Sequence, residues 1–236
     1  MYRPEKHARF DDLLLRRERI FGFIWLPIHI VVLPLLIGVI AGFTQSERLL
    51  DASNTIYYLV SFLAVLIGFW HFLKESFGRF VERFGYCCLI MLLAYFINIA
   101  LSAALTAITN LTGELPTPNN DAIAEMADVA FKDVFATAVL MAPIVEECLF
   151  RGTLFGTIAR KNRVVAYAVT ILVFSVYHVW QFALAYQDWS VLISAANYIP
   201  LTAALIFCYD RTETIWTPIF FHMFVNTAAL AYMMAG

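Results

Sequence analysis

The sequence predicts an all-α, polytopic membrane protein with about seven transmembrane helices. Three observations predict it. The 236 residues are 61% hydrophobic and only 14% charged, with mean hydropathy +0.74, whereas a soluble domain carries about 45–50% apolar and about 25% charged residues. Apolar runs of roughly 20 residues, the length that crosses a bilayer core, recur along the chain. Lys and Arg collect in alternate connecting segments, as cytoplasmic loops require.

The elements follow in order. Segment 1–20 mixes Arg and Glu with Phe10, Leu13, Leu14, Leu15 and Ile20. It reads equally as an interfacial amphipathic helix or as a short solvated cytoplasmic tail. The first apolar run, 21–43, is followed by no small-residue cleavage site, so it is expected to be a retained helix and not a signal peptide. Further spans are expected at 54–73, 84–109, 131–159, 164–184, 189–208 and 214–235. Residues 21–236 form a single transmembrane domain on this reading, without repeats or low-complexity tracts. The loop at 110–130 holds Gly113, Pro116, Pro118, Asn119 and Asn120, is acidic, and is long enough for a lid or substrate-facing element.

Charge gives the orientation. With the N-terminus cytoplasmic, thirteen cations face inward: Arg3, Lys6, Arg9, Arg16, Arg17, Arg19, Lys74, Arg79, Arg83, Arg160, Lys161, Arg163 and Arg211. The other side holds only Arg48, so seven spans place the C-terminus outside. Trp25, Trp70 and Trp216 then lie near the inner interface, and Trp180 and Trp189 near the outer. Cys87, Cys88, Cys148 and Cys208 sit in apolar runs without CxxC spacing and read as small buried hydrophobes. No basic tract with interleaved aromatics points to nucleic acid.

Against this background Glu146, Glu147 and Arg151 place three charges within six residues of an apolar run. Ionisable groups inside a membrane are expensive, and their default reading is a functional site. Glu147 and Arg151 are spaced i, i+4 with the acid first, the favourable order for an ion pair that supports the helix. Adjacent helical residues point about 100° apart, so Glu146 alone is expected to turn toward the rest of the site. Glu146 and His178 each lie 14 residues from the turn joining the fourth and fifth spans, roughly 21 Å along their helices. His222 and Asn226 share a face of the seventh span at a similar depth. The active site is therefore expected between helices 4, 5 and 7.

There Glu146 is the general base that activates water, and His178, His222 and Asn226 position the water and stabilise the oxyanion. Pro143 and Pro218 sit about one turn before Glu146 and His222, where they can open the helices. A zinc ion held by Glu146, His178 and His222 is the alternative reading, although no HExxH is present. His29 and His71 are read as packing or interfacial histidines. Asn98, Gln181 and Asn197 are read as interhelical hydrogen-bonding groups, with Gln181, three residues past His178, at the border of the site.

The run Ala142-Pro143-Ile144-Val145-Glu146-Glu147-Cys148-Leu149-Phe150-Arg151-Gly152 resembles the EExxxR motif of the CPBP family. These are CAAX prenyl endopeptidases and their bacteriocin-processing or immunity relatives, "abortive infection" proteins included. Phe174 to His178 is similar to the family's FxxxH motif, and His222 to Asn226 to its HxxxN motif. The resemblance covers 131–228. The polar residues often found ahead of FxxxH are mostly replaced, Thr170 being followed by Ile171 and Leu172.

The resemblance implies an intramembrane endopeptidase, glutamate-dependent or metal-dependent, with Glu146 as the water-activating carboxylate. The glutamate reading is preferred because a carboxylate, two imidazoles and an amide suffice chemically. The implied partners are the bilayer and a membrane-associated protein or peptide. The short chain suggests a bacterial plasma-membrane homologue, for which no prenylated substrate is expected. Two rival classes are a non-catalytic immunity or scaffold protein and a proton-coupled transporter. The transporter is disfavoured by the absence of inverted-repeat spans.

Overall fold

The computed structural model of the protein describes residues 13–45 and 47–235, without the side chains of 47–51. The described residues are helical, with no strand among them. Nine helices are distinguished: α1 (Arg16–Thr44), α2 (Glu47–Gly68), α3 (Trp70–Glu82), α4 (Phe84–Thr112), α5 (Pro118–Val134), α6 (135–159), α7 (Arg163–Tyr186), α8 (Trp189–Thr212) and α9 (Trp216–Ala235). Five of these, α1, α4, α7, α8 and α9, are long and apolar enough to cross a membrane, and α2 with α3 adds a sixth if that bent pair is one span. The protein is an integral membrane protein.

Most of the segment 1–20 lies outside the described residues. Its end starts α1. The backbone N–H of Leu15 donates to Glu18 Oε2 at 3.0 Å, satisfying a group the first helical turn leaves unpaired. Glu18 Oε1 accepts from the backbone N–H of Phe72 at 2.9 Å, which ties this turn to the start of α3. Between Pro27 and Pro34 the helix widens to π geometry over Ile28–Val32, because proline supplies no N–H and a wider turn absorbs the defect. That turn carries His29 inward.

Two of the seven expected spans take other forms. The expected span 54–73 ends early, since the chain bends by 78° between Ala52–Gly68 and Trp70–Glu82. Phe72, Leu73, Ser76 and Phe80 form the buried face of α3, and Lys74, Glu75, Arg79 and Glu82 fall elsewhere on it. A helix with such a face lies along the bundle, held by its amphipathic pattern. Ser76 Oγ accepts from the backbone N–H of Ile215 at 2.7 Å, and Trp216 Nε1–H donates to the Leu73 carbonyl at 2.8 Å.

The expected span 131–159 is not a uniform helix. Ala130 breaks α5 (φ −138°, ψ 55°), and α6 alternates between π turns at Phe135–Met141 and Glu147–Phe155 and α turns at Ala142–Glu146 and Gly156–Ala159. Every residue from Cys148 to Phe155 is buried. Enclosure by protein is what lets α6 carry three charges, since lipid-facing backbone and charge of this kind would go unsatisfied.

The main core joins Phe69, Phe72, Cys148, Leu149, Phe150, Phe155, Phe174, Ile215 and Ile219 around α6. Gly22 lets α1 lie directly against this helix, because a Cβ there would overlap the side chain of Thr153. On the outside, Leu35, Leu36, Val39, Ile40 and Phe43 of α1 and Leu89, Leu92, Leu93, Phe96 and Ile99 of α4 are exposed. Apolar surface on that scale suits lipid and not water.

Candidate active site

The four expected site residues line one cavity of about 500 Å³, framed by α1, α2, α5, α6, α7, α8 and α9. Glu146 and His222 are almost fully buried, at 2% and 3% exposure. Glu146 Oε2 lies 3.9 Å from His222 Nε2. That is too long for a direct hydrogen bond and short enough for one water to bridge.

The expectation that Glu146 alone faces the histidines is corrected by the geometry. Glu147 Oε1 lies 2.8 Å from His222 Nδ1, so the imidazole stands between the two neighbouring carboxylates, one on each ring nitrogen. The helix changes from α to π geometry between Glu146 and Glu147, which shifts the angular phase assumed for a uniform α-helix. The expected ion pair is present as well: Arg151 donates to the same Glu147 Oε1 at 3.1 Å, with both side chains fully buried. The guanidinium lies over the Phe174 ring, 4.1 Å from its centroid, a cation–π contact that offsets part of its desolvation.

These contacts fix the tautomers. A carboxylate only accepts, so His222 Nδ1 carries the proton donated to Glu147. A carbonyl likewise only accepts, so His178 Nδ1–H donates to the Phe174 carbonyl at 2.9 Å. In its neutral form each histidine is therefore left with an acceptor Nε2. His178 sits where the first part of α7 ends, at Tyr177, before the helix resumes at Trp180. Its ring stacks on Tyr198, centroids 4.3 Å apart. Asn226 Nδ2 donates to the Ala138 carbonyl at 2.8 Å, which holds the amide in place and leaves its second N–H.

Sequence reasoning missed a set of groups that reach Glu146 from the other side. Tyr58 and Tyr177 hydroxyls donate to Glu146 Oε1 at 3.3 and 3.5 Å. Behind them lies His29, fully buried, with Nε2 2.9 Å from the Tyr57 hydroxyl and 3.1 Å from that of Tyr177. The only available signal was Tyr177 itself, adjacent to His178 in the FxxxH run.

The expected loop 110–130 is largely the helix α5, and its Asn119, Asn120, Ile123 and Met126 line the cavity, as do Gln181 and Asn197. Asn197 also donates to the Pro116 carbonyl at 3.1 Å. Among the described residues no group of three or more His, Cys, Asp or Glu side chains is arranged to hold a metal ion. The zinc alternative at Glu146, His178 and His222 thus finds no ready-made cage.

Residues 131–228 match the model of the family described as "Type II CAAX prenyl endopeptidase Rce1-like". Over this stretch, less than half of its length, the chain is similar to that family. The stretch runs from the end of α5 into α9 and contains Glu146, Glu147, Arg151, His178, His222 and Asn226. The chain is also similar to "Putative membrane peptidase YdiL" of Bacillus subtilis, with 32% identity over 89 residues, 37% of this chain. The chain spans 32% of the length of that relative. No solved structure matches the chain. Outside the Rce1-like segment lie His29, Tyr57 and Tyr58, which reach into the same site.

Proposed function

We propose that the protein is an intramembrane endopeptidase that hydrolyses a peptide bond with a water activated by Glu146. The observation that carries this reading is the His222 imidazole held between two carboxylates, with Nε2 facing Glu146 across the width of one water. The Rce1-like segment supports it, because the site residues all fall within its bounds.

In the proposed reaction a water bridges Glu146 Oε2 and His222 Nε2. Glu146 takes one proton from it as general base, and the oxygen attacks the scissile carbonyl. His222 accepts the hydrogen bond of the other proton, its ring kept in register by Glu147, which Arg151 in turn neutralises. The second amide N–H of Asn226 faces the developing oxyanion. Collapse of the tetrahedral intermediate breaks the C–N bond, and Glu146 returns its proton to the leaving amine. His178 Nε2 serves as an acceptor for a substrate N–H. No step passes through a metal.

The cavity suits a polypeptide. Asn54, Asn119, Asn120, Gln181, Asn197 and Asn226 offer carboxamides that pair with peptide groups, and Ile123, Met126, Val134, Leu201, Val225 and Leu230 offer apolar wall. A concave, mostly apolar site with a few fixed polar groups is the usual form of a ligand pocket. The substrate is a membrane-associated protein or peptide, and the host membrane a bacterial plasma membrane with the N-terminus of the chain inside. That orientation is supported by one end of the bundle, where Arg19, Arg79, Arg160, Tyr209 and Glu213 border a small pocket and Arg163 pairs with Asp210.

The test is cleavage by the purified chain in detergent of a pool of apolar peptides with neutral ends, with products identified by mass spectrometry. New termini made by the wild type and absent with Glu146→Ala support the reading. A wild-type chain that cleaves none of them, while binding a partner protein unchanged by Glu146→Ala, favours the scaffold alternative.

A further inference from the structure

We propose that the first two helices supply a positioning network for Glu146, in which His29, Tyr57 and Tyr58 act with Tyr177 to hold the carboxylate so that one oxygen faces the water. The inference rests on the endopeptidase reading for its consequence in catalysis, and on geometry alone for the positioning.

One direction of the network gives every proton an acceptor. Ser61 Oγ lies 2.9 Å from His29 Nδ1; with Ser61 as the donor, the ring proton lies on Nε2. Nε2–H then donates to the Tyr57 and Tyr177 oxygens, at 2.9 and 3.1 Å. Tyr57 passes its own proton to the carbonyl of His29 at 3.1 Å. Tyr177 is left free to donate to Glu146 Oε1, beside Tyr58. In this arrangement each of these side-chain protons has an acceptor, and the network terminates on the carboxylate. Oε1 is pinned by two phenols, and Oε2 remains for His222 and the water.

A packing role alone would not gather these groups. His29 and Ser61 are fully buried, and Tyr57 nearly so, at 8%. Apolar side chains fill such a space without desolvating five polar groups. The helix α1 also widens to a π turn where it carries His29, a local irregularity typical of functional positions.

The test uses the full chain in mild detergent with Tyr58→Phe, Tyr177→Phe, His29→Leu and His29→Gln. The glutamine places its amide nitrogen near the position of Nε2, so it is the conservative replacement. Two readouts are taken: kinetics on the peptide cleaved by the wild type, and infrared spectra of carbon-13 glutamate-labelled protein, with the Glu146 band assigned by its loss in Glu146→Gln. Tyr177→Phe and His29→Leu should lower kcat roughly tenfold, the scale of one lost hydrogen bond to a charged group, with KM unchanged. His29→Gln should regain most of kcat, and the Glu146 band should shift in His29→Leu and return in His29→Gln. An unshifted band with unchanged kcat overturns the proposal, as does a glutamine variant as impaired as the leucine one. If His29→Leu fails to fold, the two isosteric Tyr→Phe variants and His29→Gln decide the question. If the wild type cleaves nothing, the endopeptidase reading fails and the infrared band alone decides the positioning.

Discussion

Removing the Glu147 carboxylate should separate what holds the protein together from what drives its chemistry. Glu147 Oε1 serves two donors, Arg151 at 3.1 Å and His222 Nδ1 at 2.8 Å, and the side chains of the Glu147–Arg151 ion pair are fully buried. Glu147→Met leaves the Arg151 charge buried without its carboxylate, and breaking such a pair from one side destabilises by about 3–5 kcal/mol. For a chain of this size each kcal/mol moves the melting temperature by about 2–4 °C, so the single variant should melt roughly 10 °C lower. The double replacement Glu147→Met with Arg151→Met removes both charges and should recover most of that loss, since apolar substitutes for a buried pair are often neutral or better. Activity should not recover, because His222 Nδ1 still lacks its acceptor. Melting can be followed by a thiol-reactive dye, since Cys87, Cys148 and Cys208 are buried until the protein unfolds. A single variant that melts within 2 °C of the wild type, or a double variant that regains full activity, would refute the reasoning.

Three further outcomes are expected. Gly22→Leu should destabilise by about 1–3 kcal/mol through overpacking, because its Cβ would overlap Thr153 and meet Phe69, whereas Gly42→Ala has open space and should be silent in the same melt. Asn226→Leu should lower kcat roughly 10²–10³-fold with little change in KM, the scale of one lost oxyanion donor; an effect confined to KM would assign the amide to substrate binding instead. Cleavage by the wild type should persist after dialysis against a chelator, and a loss restored by added zinc would replace the glutamate-only reading with a metal-dependent one.

The charged run in α6 was legible because charge in an apolar segment stands out whatever the fold. His178 and His222 could be matched to it because helical rise converts residue number into depth. Helical phase was less legible. The placement of Glu147 on His222 depends on a π turn starting at Glu147, and no residue of the run announces it. The bend at Phe69 was hidden for a related reason, since 54–73 is one continuous apolar stretch and the buried face of α3 shows only once that helix is phased by itself. The network around His29 is hidden in the sequence because its partners are remote. Ser61 is 32 residues away and Tyr177 is 148, and nothing local to a lone histidine in an apolar helix distinguishes packing from a network.

The measurement that bears most directly on the water-activating role of Glu146 is the cleavage rate of Glu146→Gln in protein shown by its melt to be folded. Glutamine keeps the shape and one acceptor but cannot take a proton, so the rate should fall by about 10²–10⁴, the usual contribution of a general base. A folded Glu146→Gln protein that cleaves within threefold of the wild type would show that the water is activated by another group.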